Sequence, residues 1–137
     1  MIKFLGRLNR QGVNNLYKSS RTGIVVYQPA PNHIDAQPIK MFEFMAAGLP
    51  VVASNFPLWK NIIEDSGCGI CVDPQDKNDV RNACVKLINN VEMRVAFIEN
   101  NIKSCHSIAA WRYGSIAEHS CKLSRIPNIT INIDDKN

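Results

Sequence analysis

Two acidic residues and a lysine are the side chains of this sequence best placed to do chemistry. Asp35 and Glu43 are separated by seven residues, and Lys40 lies between them. Pro38 suits the first position of a helix, and Gly48 suits the left-handed residue just past a helix end, so one short helix is predicted between them. On that helix Lys40 and Glu43 share a face, and with Asp35 they gather near its positive end.

Such a group of residues could bind a phosphorylated sugar. The start of a helix offers unpaired N–H groups and a partial positive charge, and a nearby ammonium adds to their attraction for phosphate. One acid for the sugar hydroxyls, one for a ribose and a cation for a diphosphate would together suit a nucleotide-sugar. A simpler interpretation also fits the spacing: Lys40 and Glu43 are a surface ion pair, and Asp35 starts a turn.

Apolar strands alternate with amphipathic helices along the chain, which predicts an open α/β sheet with parallel strands and right-handed crossovers. In the helix that begins at Pro38, the apolar stripe is Ile39, Phe42 and Ala46. Asp76 is predicted to cap the helix that ends at about Asn89. Predicted strands span 2–5, 23–27, 50–54 and 69–72, and further helices span 11–19, 57–64, 92–104 and 109–124.

Ligands of open α/β sheets bind beyond the carboxyl ends of the strands. The loops after Tyr27 and Ser54 therefore belong to the same rim as Asp35. Asn55 and Phe56 could line this rim, or they could merely start the following helix.

Other reactive side chains have simpler explanations. Trp59 is predicted to pack in the core, and His33 alone is weak evidence for a general base. Cys68 and Cys71 have the spacing of a redox or zinc motif, but no second such pair exists among the five cysteines of the chain. We therefore expect reduced thiols and no metal.

The segment from 27 to 74 resembles the carboxy-terminal, donor-binding domain of the group-1 family of retaining glycosyltransferases. The resemblance rests on QPAPN at 28–32, PIKMFEFMAAGLPVVASNFP at 38–57 and CGICVDP at 68–74, and it continues more weakly over 2–123. Such enzymes have two facing Rossmann-like domains with an activated sugar bound in the cleft between them. The resemblance implies a Rossmann-like open parallel sheet flanked by helices, which would be an incomplete half of a two-domain glycosyltransferase.

The family signature is a pair of glutamates separated by seven residues, the first contacting the transferred sugar and the second the ribose. Glu43 matches the second position, whereas Asp35 replaces the first with an acid shorter by one methylene. The resemblance thus assigns Asp35 and Glu43 to catalysis, and Lys40, Ile39, Glu43 and Asn55 to donor binding. A Gly-rich turn that many members have after the first acid is replaced here by the segment AQP at 36–38.

With 137 residues the chain makes one domain, too small for both halves of such an enzyme. We expect 1–125 to be a partial C-terminal nucleotide-sugar-binding domain, 126–137 to be a polar tail, and the chain to be a fragment that is inactive alone. Its partners would be a UDP- or GDP-linked sugar, with no other cofactor, and a missing N-terminal domain or upstream polypeptide. A non-catalytic α/β binding module and a nucleotide-sugar epimerase-like domain are the alternatives.

Composition favours a soluble globular domain, since 45% of the residues are hydrophobic and 20% are charged. We expect a cytoplasmic protein because no apolar run is long enough to span a bilayer. The net charge of +4 could favour peripheral contact with the anionic inner face of the membrane. Nucleic acid is not expected as a partner, because the basic residues are scattered. By resemblance, the intact enzyme would be a retaining transferase of the hexosyltransferase type that acts in polysaccharide or cell-envelope glycan synthesis.

Overall fold

The structure, a computed structural model, describes the backbone of residues 2–112 and their side chains other than those of 102 and 105–112. The predicted tail at 126–137, its boundary at 125 and the end of the predicted helix at 109–124 lie outside the described residues.

Three parallel strands form the sheet, in the order β1, β2, β3. Gly23 lies opposite Val51 in one pair of strands, and Val51 lies opposite Gly69 in the other. The predicted open α/β fold is therefore confirmed. The strands are β1 (Gly23–Val25), β2 (Val51–Ser54) and β3 (Gly69–Val72).

Most helices begin and end within two residues of their predicted bounds. As predicted, Asp76 caps the helix Lys77–Asn89, because its side chain accepts a 2.8 Å hydrogen bond from the Asn78 N–H. Two helices differ from the prediction. The short α2 was not predicted, and α6 continues through the interval 105–108, because no Gly or Pro interrupts it there. The helices are α1 (Arg10–Ser19), α2 (Pro31–Ile34), α3 (Ile39–Ala46), α4 (Pro57–Ser66), α5 (Lys77–Asn89) and α6 (Val91–Arg112).

The predicted strand at 2–5 was wrong. The segment is not part of the sheet, and the side chains of Ile2 and Phe4 are 99% and 93% exposed. A strand needs a neighbour to bond its N–H and C=O groups, and within residues 2–112 no strand lies beside this segment.

Helices cover both faces of the sheet, and β2 runs through the middle with every residue buried. Side chains of a strand point alternately to opposite faces, so Val51 and Ala53 pack against α3 and α4, whereas Val52 packs with α5.

Helix α6 is hydrogen-bonded to the residues that follow the ends of α3 and α4. Asn101 Nδ2 donates to the Leu49 carbonyl at 3.0 Å, and Asn100 Nδ2 donates to the Gly67 carbonyl at 2.8 Å.

Candidate functional site

Helix α3, which carries Lys40 and Glu43, ends as the sequence predicts. Gly48 has a left-handed φ of 75°, and its N–H bonds to the Met45 carbonyl at 3.0 Å. The Leu49 N–H bonds to the Phe44 carbonyl at 2.9 Å, which completes a Schellman turn. The chain therefore turns from α3 into β2 within a few residues, and this fixes the helix against the sheet.

The start and the buried face of α3 differ slightly from prediction. Pro38 is the N-cap residue, and the helix begins one residue later, at Ile39. Phe42 is buried as expected, but the Ile39 side chain is 54% exposed, so its place in the apolar stripe was wrong. The residues of α3 that are buried are Met41, Phe42, Met45 and Ala46.

Phe44 holds α3 against the edge strand. Its ring lies so close to the backbone of Gly23 that a Cβ at position 23 would overlap the ring. The Phe44 ring also contacts the ring of Tyr17 from α1 in a T-shaped arrangement, with centroids 5.6 Å apart and an interplanar angle of 77°. Two helices thus meet the edge of the sheet through one aromatic side chain.

Tyr17, Lys40 and Glu43 form a polar cluster beside this contact, which we call the Glu43 cluster. Lys40 Nζ donates to Glu43 Oε2 at 2.7 Å, and the Tyr17 hydroxyl donates to the same oxygen at 3.1 Å. The Glu43 side chain is 19% exposed and that of Lys40 is 57% exposed. Within the described part of the chain Glu43 Oε1 accepts no hydrogen bond. Among the described residues, one oxygen of this carboxylate thus accepts two hydrogen bonds and the other accepts none.

Charge and burial keep both donors of the cluster protonated. The hydrogen bond to Glu43 raises the pKa of Lys40, although partial burial opposes it. Burial raises the pKa of Tyr17, and the negative charge of Glu43 raises it further. At neutral pH Lys40 is therefore an ammonium and Tyr17 a neutral phenol, and both donate to Glu43 Oε2.

Asp35 lies apart from this cluster, at the C-cap of α2, and is exposed. Among residues 2–112 no hydrogen bond or ion pair joins it to Lys40 or Glu43. The structure thus brings together two of the three charged side chains named from the sequence and leaves Asp35 in the loop between β1 and α3.

That loop is anchored at several points. Ser54 Oγ accepts a hydrogen bond from the Tyr27 N–H at 2.8 Å and donates one to the Tyr27 carbonyl at 2.9 Å. Gln28 Nε2 donates to the Pro74 carbonyl at 2.9 Å, which ties the loop to the end of β3. Further along, Trp59 Nε1 donates to the Ala36 carbonyl at 2.5 Å. The loop that carries Asp35 is therefore attached to the last residue of β2, to α4 and to the segment that follows β3.

The other residues named for the rim also lie at this end of the sheet. Asn55 follows β2, is exposed, and donates its backbone N–H to the Val72 carbonyl at 2.9 Å. Ile39 is the first residue of α3, where backbone N–H groups lack intrahelical partners. Asn55 thus borders the carboxyl ends of β2 and β3, and Ile39 begins the helix that follows the Asp35 loop.

The predicted packing role of Trp59 is confirmed, because its side chain is fully buried and its ring lies 4.9 Å from that of Phe56. His33 bonds through Nδ1 to the Gln28 carbonyl at 2.9 Å and helps to shape the loop. Burial raises the pKa of Cys71 to about 11 and also raises that of Cys68. In the part of the chain that the structure describes, no three potential ligands cluster as a metal site.

Sequence reasoning missed the role of Tyr17. From the sequence, no site role was assigned to this residue, whereas its hydroxyl reaches a carboxylate 26 residues away along the chain. A tyrosine on the buried side of an amphipathic helix is a usable signal, because a buried phenol generally finds a polar partner.

No helix within residues 2–112 combines the length and the apolar character required to cross a bilayer.

An open parallel sheet with helices on both faces and polar residues beyond the strand ends defines the doubly wound α/β class. Residues 1–104 match the family described as Glycosyl transferases group 1. The match covers most of the chain, which therefore belongs to the group 1 glycosyltransferase family. No curated protein and no solved structure gave a significant match.

Proposed function

We propose that this chain binds the nucleotide-sugar donor of a retaining glycosyltransferase and that Glu43 recognises the ribose. The observation that carries the proposal is the unequal use of the two Glu43 oxygens. Tyr17 and Lys40 both donate to Oε2, so the carboxylate is held in one orientation. Oε1 accepts nothing from the described residues, and a carboxylate oxygen is an acceptor that suits ribose hydroxyls.

The diphosphate is assigned to Lys40 and the start of α3. An ammonium has three donors; Lys40 uses one on Glu43 at 2.7 Å and a second on the Tyr17 hydroxyl at 3.4 Å, which leaves one for a phosphate oxygen. The side chain is more than half exposed and can reach a ligand. The N–H of Ile39 adds to this positive region, and Asn55 borders it from the end of β2.

Asp35 is assigned to the donor sugar. It is exposed at the rim, on a loop that is hydrogen-bonded to its surroundings. During transfer the bond between the sugar and the phosphate oxygen breaks, and the sugar forms a bond to an acceptor oxygen. Negative charge then develops on the leaving diphosphate, where Lys40 and the helix N-terminus stabilise it.

The acceptor site and the rest of the cleft are assigned to another polypeptide segment. Within residues 2–112, β1 has a neighbouring strand on one side only, which leaves an edge that a further part of the enzyme can cover. We propose that this chain alone does not catalyse transfer. By its family, the intact enzyme would build a polysaccharide or cell-envelope glycan on the cytoplasmic face of the membrane.

Isothermal titration with UDP and with GDP tests the donor site. The chain offers a matched control, because Lys60 and Glu64 form a second exposed helical pair with a 3.7 Å separation. We expect Glu43→Ala and Lys40→Ala to weaken binding about tenfold or more, and Glu64→Ala and Lys60→Ala to leave it unchanged. If the two pairs behave alike, Lys40 and Glu43 are only a surface ion pair and the ribose contact is ruled out.

A separate measurement distinguishes the transferase from a non-catalytic module. Co-expression with an N-terminal domain of a group 1 glycosyltransferase that completes the cleft should give release of UDP or GDP from a nucleotide-sugar in the presence of acceptor. Binding of donor without any such release would favour the module. The family match favours the transferase over the epimerase-like alternative.

A further inference from the structure

Tyr17 connects α1 to the proposed ribose site. No residue of α1 is fully buried. In the described part of the chain, all side-chain hydrogen bonds and ring contacts from α1 to another element are made by Tyr17. Its ring packs on Phe44 of α3, and its hydroxyl donates a hydrogen bond to Glu43, the residue before Phe44.

The two donors to Glu43 differ in rigidity. Lys40 reaches Oε2 on a flexible four-carbon stem and its side chain is 57% exposed, so its ammonium can leave the carboxylate when a phosphate is nearby. Tyr17 has two side-chain torsions, and its partly buried ring is fixed edge-on against Phe44. Its hydroxyl is therefore the donor that can keep Oε2 in place while Lys40 contacts a ligand.

The protonation state of Tyr17 agrees with its role as the fixed donor. Burial and the charge of Glu43 raise the pKa of Tyr17, so its hydroxyl keeps its proton and donates throughout the neutral range. A phenol that donates to Oε2 also restricts the orientation of Oε1, since the two oxygens of a carboxylate are fixed relative to each other.

We infer that Tyr17 is a positioning residue for ribose recognition: its hydroxyl holds Oε2 of Glu43 so that Oε1 accepts hydrogen bonds from the 2′- and 3′-hydroxyls of the donor nucleotide. The inference rests on the proposed function. Tyr17 itself touches no ligand in this scheme. Its hydroxyl also accepts a hydrogen bond from Lys40 Nζ, but at 3.4 Å this bond is long, so the main effect of Tyr17 is on recognition of the ribose hydroxyls.

Tyr17→Phe removes the hydroxyl and keeps the ring that packs on Phe44. Tyr27→Phe is the matched control, because the Tyr27 hydroxyl makes no hydrogen bond to the described residues while its ring lies 5.5 Å from Trp59. Affinities of both variants and the unaltered chain are measured by titration for UDP and GDP and for their 2′,3′-dideoxy analogues. Thermal unfolding of each variant is recorded to establish that it is folded.

The unaltered chain should bind UDP and GDP more tightly than their dideoxy analogues. Tyr17→Phe should reduce this ratio of affinities about tenfold, as expected for the loss of one hydrogen bond to a charged group. Affinity for the dideoxy analogues should stay the same, and Tyr27→Phe should change neither value. An equal loss for both kinds of nucleotide would show that Tyr17 only docks α1, and no loss would also overturn the inference; both results leave the proposed function intact. If the unaltered chain does not distinguish the two kinds of nucleotide, the proposed function fails and the inference fails with it.

Discussion

Replacing Ser54 with alanine tests whether the rim of the sheet is held as the structure indicates. Ser54 is fully buried at the end of β2, and its hydroxyl makes two hydrogen bonds to the backbone of Tyr27, one as acceptor and one as donor. These two bonds fix the start of the loop that leads to Asp35. The substitution removes both bonds and changes the volume of the side chain very little.

The expected loss follows from the two backbone groups left behind. A buried polar group without a partner costs about 1–3 kcal/mol. Tyr27 is 39% exposed and is thus not fully removed from water, so the lower end of that range, about 1 kcal/mol, applies to each of the two groups. We expect Ser54→Ala to lower the free energy of unfolding by about 2 kcal/mol. For a chain of this size that corresponds to a fall in Tm of about 8 °C.

Urea unfolding followed by circular dichroism measures this loss. Ser19→Ala is the control, because the Ser19 hydroxyl is exposed on α1 and bonds only to the Leu16 carbonyl of its own helix, at 3.0 Å. Its effect should stay within about 0.5 kcal/mol. Hydrogen exchange at the amide of Tyr27 should also accelerate in Ser54→Ala. Equal stability of the two variants would refute the claim that Ser54 anchors the loop.

Three further predictions concern close packing and thiol reactivity. Gly69→Ala should prevent stable folding, because the Cβ of the new alanine would overlap the backbone carbonyl of Val51. A Gly69→Ala variant that melts within about 2 °C of the unaltered chain would contradict this. Gly23→Ala should displace the Phe44 ring and lower stability by about 1–3 kcal/mol in urea unfolding, and an unchanged midpoint would show that the ring can move freely. Since burial raises the pKa of Cys71 from 9.0 to about 11, only about one thiol in a thousand is ionised at pH 8. Labelling of Cys71 with iodoacetamide, followed on its own peptide, should therefore be about 100-fold slower in the folded chain than in the chain unfolded in urea. Equal rates in the two states would show that the Cys71 thiol is accessible in the fold.

Elements with local signals at both ends were predictable from the sequence. The end of α3 followed from Gly48, whose missing side chain permits the left-handed turn, and β3 followed from the short apolar run that ends before the Asp73-Pro74 step. Asp76 identified the start of α5 for a similar reason, because its side chain caps the helix within a few residues.

Features that depend on distant residues were not predictable in this way. The segment 2–5 has a strand-like sequence, but a strand also requires a neighbouring strand, and that is a property of the whole sheet. The bond between Tyr17 and Glu43 likewise depends on how α1 lies against α3, which no local pattern specifies. Spacing did predict the pairing of Lys40 with Glu43, because residues three apart are neighbours on a helix.

The two proposed acids differ in how far the fold prepares them for a ligand. Glu43 is part of a helix packed on the sheet and accepts two hydrogen bonds, so little conformational entropy is lost when a ribose binds. Asp35 is exposed on a loop whose backbone is anchored, while its carboxylate is joined to neither Lys40 nor Glu43. Ordering that side chain must therefore be compensated by contacts with the ligand itself. The nucleotide would then bind first, through Glu43, and its binding would hold the sugar near Asp35. In this proposal the acid with the fixed side chain binds the ribose, and the acid with the freer side chain binds the sugar.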